Sequence, residues 1–388
     1  MQKRILVVSP IECYPPFFGN SSRIAAFMQH IQALGFDFRY LHLPERPFDP
    51  APMIANLGDN YIYQPYRPRR AVIYRLRLRA IQALFHKKSV RSVRVDDFLQ
   101  RSDIRRYKKV LSDFKPHIVL INYTYFSKLF HFTPSGIEKL LDTHDSLHLR
   151  FKQLYNSAKK MQNFRISIKD EIQALNRADK VISIQRQEAA FFKTHGCTAK
   201  IYTIGHQLVY KANPIHKKRH KLLYVGARYS ANIDALNHFL THIWPLLIVQ
   251  NPSLELYIAG GIGVEFQHLA TTEGAIKLLG YVDDLAALYN QVDVAINPIR
   301  MGSGLKIKNI EALSNGRPVI TTTLGAEGLA IFEGKGLEIA HSTQEWAIIL
   351  AKFLNNDDFY GESLHALSIV IAQYNKTNEQ NMRELLTD

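Results

Sequence analysis

The sequence predicts an α/β protein made of two doubly wound domains, and three observations predict it. Short apolar runs alternate with longer amphipathic segments, the rhythm of parallel strands joined by covering helices. That rhythm restarts near residue 221. The length, 388 residues, also exceeds what one ordinary domain holds.

The elements follow in order. Arg4–Ser9 (RILVVS) is almost wholly apolar, as a strand buried on both faces requires, and a turn through Pro15 and Pro16 follows it. Residues 22–34 have helical periodicity and stop at Gly35; residues 36–43 read as a second strand. Later strands are expected at 118–122, 140–143 and 181–184, with helical stretches such as 169–178 between them. In the second half, KLLYV (Lys221–Val225) is a strand closed by Gly226, 232–247 a helix, and 254–259 a strand ending at Gly260 and Gly261. Further strands are expected at 277–279, 292–297 and 318–322, and Ile307–Ser314 reads as a helix ending at Gly316. The polar, basic stretch 212–220 (ANPIHKKRH) reads as the linker. The expected domains are therefore 1–211 and 221–364, with the helical region 365–388 packing back on the first. Ligands of such sheets sit beyond the carboxyl ends of the strands, and the two sets of ends are expected to face each other across a cleft.

Composition narrows the function classes. Hydrophobic residues make up 46% and charged residues 21%, which excludes a disordered, collagen-like or coiled-coil chain. Two cysteines, Cys13 and Cys197, form neither a disulfide framework nor a four-thiolate zinc site, and suit a reducing, cytoplasmic setting. The first apolar run is too short for a signal-peptide core, and no window reaches a membrane span. The net charge of +15 is uneven: Lys and Arg exceed Asp and Glu by 18 in residues 1–200 and fall short by 3 in 201–388. A basic first half attracts an anionic partner. Residues 67–109 interleave Val, Phe, Leu and Ile with basic residues, as one or two basic amphipathic helices would. An anionic membrane surface fits that spacing and a solvated face is the alternative; nucleic acid is not expected.

The chemistry concentrates in residues 292–329, VDVAINPIRMGSGLKIKNIEALSNGRPVITTTLGAEGL. A strand ends at Asn297-Pro298, a glycine turn Gly302-Ser303-Gly304 follows, and a helix opens with Lys306, Lys308 and Glu311 near its start. Backbone N–H groups at a helix start hold a diphosphate. Lys306 or Lys308 adds a charge-assisted hydrogen bond, and a carboxylate at Glu311 accepts from two vicinal ribose hydroxyls. In LLDTHDSLHLR, Asp142, His144 and Asp145 follow a strand. They read as a histidine oriented by a carboxylate or as a polar strand end with His144 merely hydrogen-bonded; a metal site is disfavoured because no second histidine pair has ligand spacing. Gly260, Gly261 and Gly263 lack the spacing of a dinucleotide fingerprint and read as a turn. Asp283 and Asp284 read as helix caps.

The run GSGLKIKNIEALSNGRPVITTTLGAEGL resembles the donor-nucleotide motif of the group 1 (family 4) glycosyltransferases, which have the two-domain GT-B fold. Four other stretches resemble that family in order: PPFFGNSSRIAAFMQHIQALGFDF, LLDTHDSLHLR, LNRADKVISIQRQEAAFF and LLYVGARYSANIDALNHFL. The resemblance implies a transferase that moves a sugar from a nucleoside diphosphate sugar to a hydroxyl, with retention of configuration. It needs no cofactor and no metal. The implied acceptor is a glycan or lipid-linked glycan. The implied catalytic residues are His144, Asp145, Arg228 and Lys308. The donor would touch Gly226, Arg228, Tyr281, Val282, Gly302, Ser303, Gly304, Leu305, Lys306, Lys308 and Glu311, and Gly19 would let the first loop approach it. Of the family's two glutamates seven residues apart, only Glu311 is present, since Ser303 holds the first position. Asn20 replaces a second glycine, and YSANID after Arg228 lacks the usual lysine. An epimerase or phosphorylase of the same fold, and a non-catalytic two-domain sugar-binding protein, are the alternatives.

Overall fold

The computed structural model describes residues 3–16, 19–66, 91–92, 94–150, 164–269, 275–302 and 304–387. The chain divides into two compact units, Met1–Gln207 with Asn381–Asp388, and Leu208–Gln380.

The first unit holds strands β1 (Arg4–Ser9), β2 (Asp37–His42), β3 (Tyr61–Tyr63), β4 (Arg91–Ser92), β5 (Ile118–Asn122), β6 (Glu138–Asp142), β7 (Phe164–Arg165), β8 (Lys180–Ser183) and β9 (Lys200–Thr203). Seven of them form one parallel sheet in the order β3-β2-β1-β5-β6-β8-β9, and β4 pairs only with β7. The near-continuous apolar sequence of β1 has its expected cause. Ile5 and Val7 pack with Ile24, Phe27, Met28 and Ile31 of the helix Gly19–Ala33. Leu6 and Val8 face the opposite layer, with Val119, Ile121 and Tyr107. Both faces of the sheet are therefore covered by helices.

The second unit holds β10 (Lys221–Val225), β11 (Glu255–Ala259), β12 (Ile276–Gly280), β13 (Val294–Asn297), β14 (Val319–Thr321) and β15 (Leu337–Ile339), parallel and ordered β12-β11-β10-β13-β14-β15. Arg317 is wholly buried beside this sheet, and its guanidinium donates to the carbonyls of Tyr289 (2.7 Å) and Pro214 (2.9 Å). Satisfying those carbonyls is what makes a buried cation tolerable there. The last helix, Asp357–Thr387, gives Leu364, Leu367, Val370 and Ile371 to the core of the second unit and Met382, Leu385 and Leu386 to that of the first.

Both sheets reverse their strand order once, between β1 and β5 and between β10 and β13. Such switch points open a crevice at the carboxyl ends of the strands. Gly226 and Asn297 stand at the second of these ends, and Tyr123 and His144 stand after β5 and β6 near the first.

Three differences from the sequence reading have physical reasons. The helix expected at 232–247 is broken into Ser230–His238, a π turn Phe239–Ile243, and Trp244–Gln250. Pro245 has no N–H to donate, so the regular ladder does not run through it. Strands β3, β9 and β15 lie in the outer parts of their sheets; three or four residues, partly exposed, leave no apolar run to read. Within the basic stretch 67–109, residues 67–90 and 93 lie outside the described residues, and Arg101–Phe114 begins a helix. Among the described residues no helix is long and apolar enough to cross a membrane.

Candidate active site

In the second unit the site is built on the loop from β13 to the helix Ile307–Ser314. Gly302 and Gly304 have φ of 114° and 78°, a region that side-chain-bearing residues enter only with strain. Ser303 between them lies outside the described residues. The two glycines let the chain double back, and Lys306 braces the turn by donating to the Gly304 carbonyl at 2.6 Å. Lys306 is also the N-cap of the helix, and no side chain caps that end. A lysine there is unusual, because it accepts nothing from the first-turn N–H groups. The helix start is thus positive from its backbone, with the Lys306 ammonium beside it 3.7 Å from Glu327, which suits an anion. Leu305 packs against the core and anchors the turn.

Lys308 and Glu311 lie next to each other on the first turns of that helix. The Lys308 ammonium donates to Asn232 Oδ1 at 3.0 Å and to the Tyr224 hydroxyl at 3.3 Å, and lies 4.4 Å from the centre of the Tyr224 ring. Burial pushes its pKa down to about 7, which Glu311 partly offsets and Lys306 reinforces. Burial raises the pKa of Glu311, and Lys308 pulls it back. No described side chain or backbone group donates a hydrogen bond to the Glu311 carboxylate, so its oxygens are available to a ligand. Gly226 completes the group, since a Cβ there would lie 2.8 Å from the Tyr224 ring.

The remaining donor positions are less closely joined. Arg228 follows β10 and is paired through Nε with Glu265, with 63% of its side chain exposed. Tyr281, after β12, is 71% exposed, whereas Val282 packs on the core. Asp284 caps its helix by accepting from Ala287 N at 2.9 Å, as its place at a helix start predicts.

In the first unit His144 follows β6 with φ of 61°, and Tyr123 follows β5 with φ of 71°. Two non-glycine residues in the left-handed region store strain, of the order of 1–3 kcal/mol each, and such strain gathers at functional sites. The two rings stack, with centroids 4.2 Å apart and planes 6° from parallel. His144 Nε2 is 2.9 Å from Asn122 Oδ1 and 3.7 Å from Asp142 Oδ2. Burial holds the His144 pKa down at about 4 against the pull of Asp142, so the imidazole is neutral at ordinary pH. Asp142 is engaged by Arg23, at 3.0 Å through both Nε and Nη2. Burial opposes its ionisation, but Arg23, His144 and their hydrogen bonds outweigh that and keep its pKa low. Gly19 opens the helix Gly19–Ala33, and Asn20 beside it donates to the Tyr123 hydroxyl at 3.0 Å. The first glycine loop and His144 are thus joined through Tyr123. Asp145 pairs instead with Arg150, at 3.5 Å. Among the described residues no group of three or more His, Cys, Asp or Glu is placed to hold a metal ion.

Several of these residues were missed by the sequence reading. Arg23 lies within the quoted SSRIAAF stretch, but its partner Asp142 is 119 positions away. Tyr123, Asn122, Tyr224 and Asn232 carry no motif of their own.

Behind His144 lies a buried acidic group. Glu171 accepts from Leu147 N at 2.7 Å, His148 N at 2.9 Å and Ser146 Oγ at 3.0 Å. Burial nevertheless raises its pKa to about 7, and burial with the help of Asp145 raises that of Glu188 to about 8. An unfolded glutamate titrates near 4.5, so between pH 4.5 and 8 the folded chain holds a proton at Glu188 that the unfolded chain has lost. Stability contributed by the protonated group is therefore full at low pH and falls as pH rises through that window. Glu188→Gln is expected to match the wild-type Tm near pH 5 and to exceed it by about 2–4 °C at pH 8, as read by thermal denaturation at the two pH values. Equal Tm differences at both would refute the buried, protonated state.

Comparison with known proteins agrees with this geometry. Residues 219–356 match the model of the family Glycosyl transferases group 1. A 44.6 kDa uncharacterised protein in the cps region of Klebsiella pneumoniae is 26% identical over 372 residues, covering 91% of this chain and 90% of that protein. Among solved structures, TarM superposes with a TM-score of 0.71 at 12% identity, covering 100% of this chain and 99% of TarM. The pneumococcal O-GlcNAc transferase GtfA, in complex with UDP and GlcNAc, gives a TM-score of 0.66 at 12% identity with full coverage of both chains. Residues 219–356 accordingly resemble the group 1 glycosyltransferases, and the chain has the two-domain, Rossmann-like GT-B fold of its solved neighbours.

Proposed function

We propose that the protein transfers a sugar from a nucleoside diphosphate sugar to a hydroxyl of a glycan or lipid-linked glycan, in building a bacterial surface polysaccharide and with retention of anomeric configuration. The observation that carries this reading is the Lys308–Glu311 pair at the uncapped start of the helix Ile307–Ser314. Glu311 grips the ribose through both carboxylate oxygens. Lys308 and the helix N-terminus, with Lys306 and Arg228, neutralise the departing diphosphate, whose charge grows as the glycosidic bond breaks. The stretch after Arg228 has no lysine of its own. Lys308 supplies the missing cation from the neighbouring helix, with its ammonium on Asn232 of that stretch. Tyr281 and Val282 lie beside the base.

In the first unit, His144 offers a neutral imidazole held by Asn122 and Tyr123. A neutral imidazole can exchange a hydrogen bond with a sugar hydroxyl. The complex of GtfA with UDP and GlcNAc supports a nucleotide-linked donor, and the cps-region relative supports a polysaccharide product. The enzyme would act in the cytoplasm, peripheral on the inner membrane face, where the basic first half meets anionic lipid.

Product analysis tests the reading. Incubation with UDP- and GDP-sugars is expected to release nucleoside diphosphate and extend a lipid-linked glycan only when that acceptor is present. Sugar release that requires inorganic phosphate would favour a phosphorylase, and an altered sugar formed without acceptor would favour an epimerase.

A further inference from the structure

We propose that the first unit carries a second anion site, a groove that binds the phosphate group of a phosphorylated ligand. A cavity of about 380 Å³ is lined by Tyr63, Gln64 and Pro65 from the end of β3 and by Ser102, Arg105, Arg106 and Lys109 of the helix Arg101–Phe114. None of the residues assigned above to the donor or to His144 takes part in it.

Among the described residues, neither Arg105 nor Arg106 has a carboxylate partner, and Arg106 Nε is buried without any acceptor. Lys109 touches Asp113 at 3.4 Å, but both side chains are about two-thirds exposed, so that pair is weak. Asp103 is buried and accepts from Gln100 N at 3.0 Å at its own helix end and from the groove residue Gln64 Nε2 at 3.4 Å. Arg101, Arg105 and Lys109 repeat every four residues, so like charges stack along one helix face. Each such pair is mildly destabilising unless an anion relieves it.

Geometry selects the class of anion. Two guanidinium forks and an ammonium match the several oxygens of a phosphate, and Ser102 adds a neutral donor. Tyr63, 40% exposed, is held at the rim by stacking on Tyr61, with centroids 5.8 Å apart. One compact pocket with three cations fits a single phosphate or diphosphate better than the long track a nucleic acid needs. The groove sits at the carboxyl end of β3, and His144 at that of β6, four strands away in the same sheet. Four spacings of about 4.8 Å put them on the order of 20 Å apart. The groove can therefore hold the phosphate of an extended acceptor whose far end reaches His144. That use rests on the transferase reading above; occupancy of the groove does not.

The test measures binding of pyrophosphate by calorimetry, with UDP at saturation to fill the second unit's site, and of phosphatidylcholine vesicles, with and without phosphatidylglycerol, by co-sedimentation. The variants are Arg105→Gln/Arg106→Gln and, as a control of the same helix, Lys108→Gln. Lys108 lies elsewhere on the helix, with its ammonium over the Phe132 ring. The double variant is expected to weaken binding at least about tenfold, while Lys108→Gln stays close to wild type. Loss of pyrophosphate binding marks a site open to free phosphates; loss confined to phosphatidylglycerol vesicles marks a lipid headgroup site. The proposal is overturned if wild type binds neither probe, if both variants weaken binding equally, or if the double variant binds as wild type does. UDP affinity, measured on the same samples, reports separately on the second unit and is expected to be unchanged in all three proteins.

Discussion

Replacing Glu311 by alanine is expected to lower kcat/KM for the donor by about 30- to 150-fold, the equivalent of about 2–3 kcal/mol. The size follows from the setting of the carboxylate. Burial makes it costly to leave an ionised group there without partners, yet no described residue donates to it. Its one charged neighbour, Lys308, faces it along the same helix. In the proposed function two vicinal ribose hydroxyls would supply the missing donors, and each bond to a charged acceptor is worth more than a neutral one. Glu311→Gln keeps the shape and one acceptor oxygen but loses the charge, and is expected to fall between wild type and alanine. Steady-state kinetics with varied donor and saturating acceptor measure this. Donor kinetics unchanged in Glu311→Ala would remove the ribose role.

Lys308→Met is expected to lose about 100-fold or more in kcat/KM, within the range found when a donor to developing negative charge is removed. A second signature follows from its pKa. In the free protein Lys308 is depressed to about 7, so much of it is neutral at pH 8. A bound diphosphate favours the ammonium, and binding at pH 8 is expected to take up a proton. Titrations of nucleoside diphosphate in two buffers with different ionisation heats read that proton directly, and Lys308→Met is expected to abolish it. Stability carries the same group with a definite sign. The unfolded lysine titrates near 10.5, so between about pH 7 and 10.5 the unfolded chain binds the extra proton. The contribution of Lys308 to stability therefore rises with pH across that window, and the methionine variant should lack the rise.

The candidate donor half of the site could be proposed from sequence because its elements are local. A strand end, two glycines that must take positive φ, and a helix with Lys308 and Glu311 in its first turns all lie within fifteen residues of Asn297. Apart from the edge strand β12, the strands that could be read were the buried ones, whose apolar runs reflect helices on both faces. Strands β3, β9 and β15 were not, because a short, half-exposed strand has no such run. The first unit's site was harder still. His144 could be singled out as a histidine after a strand. Its partners Asn122 and Tyr123, and the Arg23–Asp142 pair beneath it, are assembled from three separate elements. Their meeting depends on strand order, which periodicity does not reveal. Tyr123 owes its place to a backbone conformation that tyrosine seldom takes, and no sequence rule announces that. The lysine missing after Arg228 was visible as an absence, but its replacement by Lys308 emerged only from the contact with Asn232.

The central claim is that the second unit holds a nucleoside diphosphate by Glu311 and Lys308. Calorimetric titration of the full-length protein with UDP and with GDP tests it most directly. The expected result is saturable uptake of at least one of them, weakened about tenfold or more in Glu311→Ala. Uptake of neither nucleotide, or an affinity that is the same with and without the Glu311 carboxylate, would contradict it.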